Sequence, residues 1–97
     1  MPFEGYGGFA FTWVSVQRNA PAMPGVYGLS NAREWVFVGI ADDIHAALLA
    51  HLQEGDSPIK SRAPTGFTFE VCHPTQSPMR AARLIAELSP VCRRKAL

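Results

Sequence analysis

Side-chain chemistry needs nucleophiles, bases or metal ligands at a usable spacing, and this chain carries few of them. Its histidines are His45, His51 and His73. His45 and His51 stand six residues apart, so on one helix they do not share a face as an i, i+4 metal pair does. His73 is remote along the chain, and no zinc site is expected. Cys72 and Cys92 fit no metal-motif spacing and are fewer than the disulfide framework of a small secreted domain requires; reduced, buried thiols are the expectation. No motif announces a Ser/His/Asp or Cys/His nucleophile. Phe9, Phe11 and Trp13 alternate as a base-stacking platform would, but no basic residue interleaves with them. They read instead as a strand that extends a sheet or pairs with a second copy of the chain. Arg80, Arg83 and the run Arg93-Arg94-Lys95 carry the charge that attracts phosphates, though such a set is more often a solvated helix face and tail.

Charge over the whole chain gives little pull toward nucleic acid, because the net value is only +1. The halves differ. Residues 1–57 hold two arginines against six carboxylates, while residues 58–97 hold seven basic residues against two acidic ones. With 47% hydrophobic and 18% charged residues, the 97-residue chain can build one core but not two. No run approaches the roughly 18–20 apolar residues of a membrane span. No basic residue precedes Arg18, so no signal peptide is read, and a cytoplasmic location is the expectation.

The elements that must position these residues follow from hydrophobic period and turn chemistry. Phe9, Phe11 and Trp13 predict a first strand. The stretch from Asn19 to Pro24 breaks structure, because its prolines remove donors and restrict their neighbours. Residues 25–30 and 34–39 predict two strands joined by the polar link Ser30-Asn31-Ala32-Arg33, a β-hairpin. Asp42 or Asp43 can cap a helix carrying Ile44, Ala47, Leu48, His51 and Leu52, with Gly55 as its stop. Residues 56–65 predict an exposed loop and residues 67–71 a further strand. Ser77 and Pro78 predict a cap and first-turn proline for a helix that ends before Pro90. Residues 91–97 read as a basic tail. The sum is an α/β (α+β type) domain over residues 1–97: an N-terminal extension to residue 20, a core over 24–90, a small, mainly antiparallel sheet with a hairpin, and two principal helices.

Within that core, Pro24-Gly25-Val26-Tyr27 and Phe37-Val38-Gly39 resemble the two strand motifs of the GIY-YIG nuclease family. Asp43-Ile44 stands where the family's helix begins, near an Asn-Leu pair. Phe69-Glu70-Val71 resembles its third strand, and residues 84–90 resemble its closing helix end. The likeness spans residues 24–90 in the family's order, and its specificity lies in order and spacing rather than in any one motif.

The resemblance implies phosphodiester hydrolysis, with an arginine against the phosphate, a metal-bound carboxylate and a tyrosine that helps to activate water. Carried over position by position, the first tyrosine falls on Tyr27. The second falls on Phe37, which has no hydroxyl. The arginine falls on Ala47, a polar residue one turn later falls on His51, and the glutamate falls on Ala81. Glu87 is the substitute if that helix slides. Losing one preorganised charge-stabilising donor typically costs about 10²–10³ in rate. The resemblance therefore implies a degenerate member without resident cofactor or metal. Its old cleft, lined by Tyr27, Phe37, Gly39, Ala47 and His51, would meet a protein or small ligand. Two alternatives stand beside that reading. One is a divergent magnesium-dependent DNA endonuclease; the other is weak nucleic-acid binding without cleavage, with Arg80 and Arg83 on phosphates. A homodimer through the N-terminal aromatics is a further expectation.

Overall fold

The computed structural model describes residues 8–54 and 58–92. Gly55 and the Arg93-Arg94-Lys95 run, read above as a helix stop and a tail, lie outside the described residues, as do residues 1–7. The elements are β1 (Phe9–Ala10), α1 (Trp13–Asn19), β2 (Gly25–Ser30), β3 (Trp35–Ala41), α2 (Ile44–Gln53), α3 (Pro58–Ser61), β4 (Gly66–Val71) and α4 (Ser77–Leu88). The strands form one antiparallel sheet in the order β1-β4-β2-β3.

The hairpin forms where its turn chemistry predicts. Asn31 Oδ1 accepts from the backbone N–H groups of Arg33 (2.8 Å) and Glu34 (2.9 Å), so the side chain replaces a backbone turn partner. Strand alternation then divides the core. Tyr27 and Leu29 face α1 and α2 and pack with Val16, Phe37, Ile44, Leu48, Phe67 and Phe69. Val26 and Val38 face the other way, against Ala81 and Leu84 of α4. Each helix covers one face of the sheet, and neither face could be left in water.

The first segment departs from the alternating reading. Only Phe9 and Ala10 pair with β4, opposite Phe67 and Gly66. At Thr12 the chain turns into α1, because the Thr12 hydroxyl caps it by accepting from Ser15 N–H at 3.2 Å. Phe9 still stacks near Phe67 and Phe69, but Trp13 is 44% exposed on the helix and Val16 enters the core instead. The stretch read as a loop contains α3, whose Ile59 is buried. Such a short helix has no periodic signal to announce it. Gln76, not Ser77, is the N-cap of α4; Ser77 lies inside the first turn, buried, with its hydroxyl donating to His73 C=O at 3.3 Å.

At the other end, Ser89 stops α4 in the left-handed region (φ 48°), and the chain returns to the sheet. Val91 and Cys92 donate their N–H groups to the carbonyls of Trp35 (3.0 Å) and Val36 (2.8 Å). Cys92 thus lies parallel to Phe37 on the outer edge of β3, so these two residues belong to the sheet and not to a tail. Both cysteines are free and partly exposed rather than buried.

Candidate binding cleft

The α2 face of the hairpin positions a small aromatic cluster. Tyr27 of β2, Phe37 of β3 and His51 of α2 are each about 95% buried, with relative exposures of 4%, 5% and 5%. Their ring centroids lie 5.5–6.1 Å apart. Gly39, paired with Tyr27 across the hairpin, makes the packing feasible. A Cβ there would stand 2.6 Å from Tyr27 Cζ and its hydroxyl oxygen, and 2.7 Å from Phe37.

The Tyr27 hydroxyl lies 2.7 Å from His51 Nε2, and His51 Nδ1 lies 2.5 Å from Glu54 Oε1. With His51 neutral, the chain of hydrogen bonds has one direction. An ionised carboxylate only accepts, so Nδ1–H donates to Glu54, and Nε2 of the neutral ring then accepts from the Tyr27 hydroxyl. Glu54 caps the end of α2, where its N–H returns to His51 C=O at 3.3 Å, and this places its carboxylate beside the ring. Burial drives the Tyr27 pKa upward, and the nearby negative charge of Glu54 adds to it, so the hydroxyl stays protonated well above the ordinary phenol range.

Above the cluster lies a cleft of about 400 Å³, lined by Tyr27, Phe37, Gly39, residues 40–43, Ala46, Ala47, Ala50 and His51. Ala47 presents a methyl group to it, and among the described residues no lysine or arginine lines it. Nor is the α2 N-terminus open to an anion. Ile44 N–H donates to Met23 C=O and His45 N–H to Pro21 C=O, both at 3.0 Å, while Ala46 N–H donates to Asp43 Oδ1 at 3.0 Å. The proline-broken loop before β2 thereby supplies the carbonyls that satisfy the helix start. His45 Nδ1 meets Ala20 C=O at 3.0 Å, which gives that histidine a structural use.

Of the residues singled out from sequence, Tyr27, Phe37, Gly39, Ala47 and His51 come together here. Ala81 does not join them: it packs with Val26, Val38 and Leu84 on the opposite face of the sheet. Glu87 points to solvent and pairs loosely with Arg83 at 4.0 Å. Arg80 holds Glu70 in a two-pronged ion pair, Nε to Oε2 at 2.7 Å and Nη2 to Oε1 at 2.9 Å, so its guanidinium is committed within the fold. It is not the open phosphate contact expected of it. Glu54 was missed because its spacing to His51 reads as an ordinary helix end. Only the i, i+3 relation hinted at the contact.

Asp43 is occupied as the α2 cap, the expected glutamate position is an alanine, and no three His, Cys, Asp or Glu residues gather into a metal-holding group among the described residues.

No protein-family model matches the chain, and no curated protein matches it in sequence. Solved structures do. The magnesium-bound GIY-YIG N-terminal endonuclease domain of UvrC from Thermotoga maritima superposes with a TM-score of 0.66 at 20% identity, covering 77% of this chain and 91% of that one. Two point variants of the same domain, bound to the divalent cation, match at 21% identity with TM-score 0.66 and at 18% with TM-score 0.65, over 77% of this chain and 90–91% of theirs. The chain therefore has the GIY-YIG endonuclease fold, a small α+β architecture.

Proposed function

We propose that this chain is a non-catalytic interaction module, built on a GIY-YIG scaffold, that receives a ligand in the cleft over Tyr27 and His51. The observation that carries the reading is the cleft lining: Phe37 and Ala47 stand where the resemblance calls for a tyrosine and an arginine, and among the described residues no lysine or arginine lines the space. Phosphodiester cleavage concentrates negative charge in its transition state, and a wall of methyl groups, aromatic edges and the carboxylates of Asp42 and Asp43 gives that charge no cation to meet. A concave, mainly apolar space with few polar groups suits protein or small-molecule contact.

The Tyr27–His51–Glu54 chain favours a second reading, divergent hydrolysis, since a hydroxyl that donates to a carboxylate-backed imidazole is arranged for proton transfer. The raised Tyr27 pKa and the missing cation oppose it. A plasmid-nicking assay with magnesium or manganese separates the two. The module reading expects no cleavage above buffer, and indole titrated into ¹⁵N-labelled protein should shift the amides of Gly39 and Ala47. Magnesium-dependent nicking that disappears in Tyr27→Phe would establish the hydrolase and end the module reading. Weak nucleic-acid binding would show instead as affinity that falls steeply with salt.

A further inference from the structure

Beyond Phe37, the outer edge of β3 has no strand beside it among the described residues. Val36 uses its outward carbonyl on Cys92 N–H. By the alternation of a strand, Val38 and Ile40 turn their backbone N–H and C=O groups the same way, away from β2; the parallel bridge of Phe37 with Cys92 sets Val38 N–H toward the Cys92 carbonyl, so the edge offers Val38 C=O and both groups of Ile40. Edges of this kind are usually blunted with lysine, proline or a bulge. Here the edge carries Gly39 and an Ile40 that is 50% exposed.

The cleft opens along that same edge. It runs between that strand and α2, from Gly39 to Asp43 on one side and along Ala46, Ala47 and Ala50 on the other. Among the described residues its charge is of one sign. Exposed Asp42 and half-buried Asp43 stand in its wall without a basic neighbour among the described lining residues, and the sequence has no lysine or arginine between Arg33 and Lys60.

We propose that the edge of β3 binds an extended basic peptide as an added strand, its backbone on Val38 and Ile40, its cationic side chains beside Asp42 and Asp43, and one apolar side chain in the cleft against Phe37 and Ala47. Main-chain hydrogen bonds supply attachment, and the alternate pockets supply selectivity. The two carboxylates repel acidic partners and attract basic ones. The inference rests on the module reading and narrows it to a ligand class.

The test is fluorescence anisotropy of a labelled hexapeptide of alternating lysine and valine against the full chain, beside its glutamate–valine counterpart. The basic peptide should bind at least ten-fold more tightly. Methylating its amide nitrogens along one edge should weaken it by ten-fold or more, and Asp42→Asn, at an exposed position, should weaken it several-fold. Amide shifts should gather at Val38, Ile40 and Asp42. Equal affinity for the two peptides, indifference to N-methylation, or shifts gathered around Arg80 would each overturn the proposal. If the peptide binds only after Arg93→Glu, Arg94→Glu and Lys95→Glu are combined, the chain's own basic run is the occupant and the external partner is excluded. Should indole shift Gly39 and Ala47 while neither peptide binds, the module reading survives without this ligand class. If neither probe touches the cleft, both fail.

Discussion

Tyr27 holds three relations at once: a hydrogen bond with His51, a ring packed on Phe37, and a hydroxyl that fits only because residue 39 has no side chain. Each relation predicts a measurable loss. Tyr27→Phe keeps the ring but leaves His51 Nε2 buried without its donor, which should cost about 1–3 kcal/mol in urea unfolding. Gly39→Ala should cost at least as much, because both neighbours of the new methyl group are packed rings. The hydroxyl also makes stability depend on pH. The folded state holds the Tyr27 proton more tightly than the unfolded state, where tyrosine titrates near its ordinary value of 10.0. The contribution is therefore intact below pH 10. As pH rises above that, stability falls by up to about 1.4 kcal/mol per pH unit. Unfolding followed from pH 8 to 11 should show that decline in the parent and a flatter curve in Tyr27→Phe.

Among the elements, caps decide more than propensity does. Thr12→Ala should loosen α1 by about 0.5–2 kcal/mol, since Ser15 N–H loses its acceptor. Ser89→Gly should gain up to about 1 kcal/mol by relieving the left-handed backbone of a residue that carries a Cβ. Thermal melts of the two variants should move in opposite directions. Caps also explain which elements were readable in advance. The hairpin, α2, β4 and α4 have a hydrophobic period bounded by glycine, proline or aspartate, and each forms within a residue or two of its expected span. The aromatic alternation at Phe9, Phe11 and Trp13 was overruled by one hydroxyl, because a capped turn of helix buries Val16 while a longer strand would have lacked a partner beyond Phe11. In the cleft, Tyr27, Phe37, Ala47 and His51 were marked by the resemblance to the GIY-YIG family, carried over position by position. Glu54, the Arg80–Glu70 pair and the docking of Cys92 were not, since each depends on where a chain end folds back.

For the whole molecule, the sheet separates two apolar clusters that share no side chain. Ile44→Val on one face should cost about 0.5–1.5 kcal/mol and Leu84→Ala on the other about 2–5 kcal/mol. Because the clusters lie on opposite sides of the strands, the double variant should add the two losses to within about 0.5 kcal/mol. A clear departure from additivity in denaturant titrations would mean that the strands transmit strain from one face to the other. The separation has a functional side. The cleft belongs to the α2 face alone, so Leu84→Ala should leave indole-induced shifts at Ala47 unchanged even as it lowers the melting temperature.

The central place of β2 also sets an order of events in time. On one side β2 meets β3 across the short link held by Asn31, while on the other Ser30 must find Gly66. Closing the longer loop costs about 2 kcal/mol more in chain entropy, so the nucleus of folding should contain the hairpin and admit β4 later. In stopped-flow experiments, Asn31→Ala should chiefly slow refolding, whereas Phe69→Leu in β4 should chiefly hasten unfolding. Until β4 arrives, both edges of that hairpin are open, and the interval before its arrival is when a newly made chain is most exposed to pairing with a neighbour.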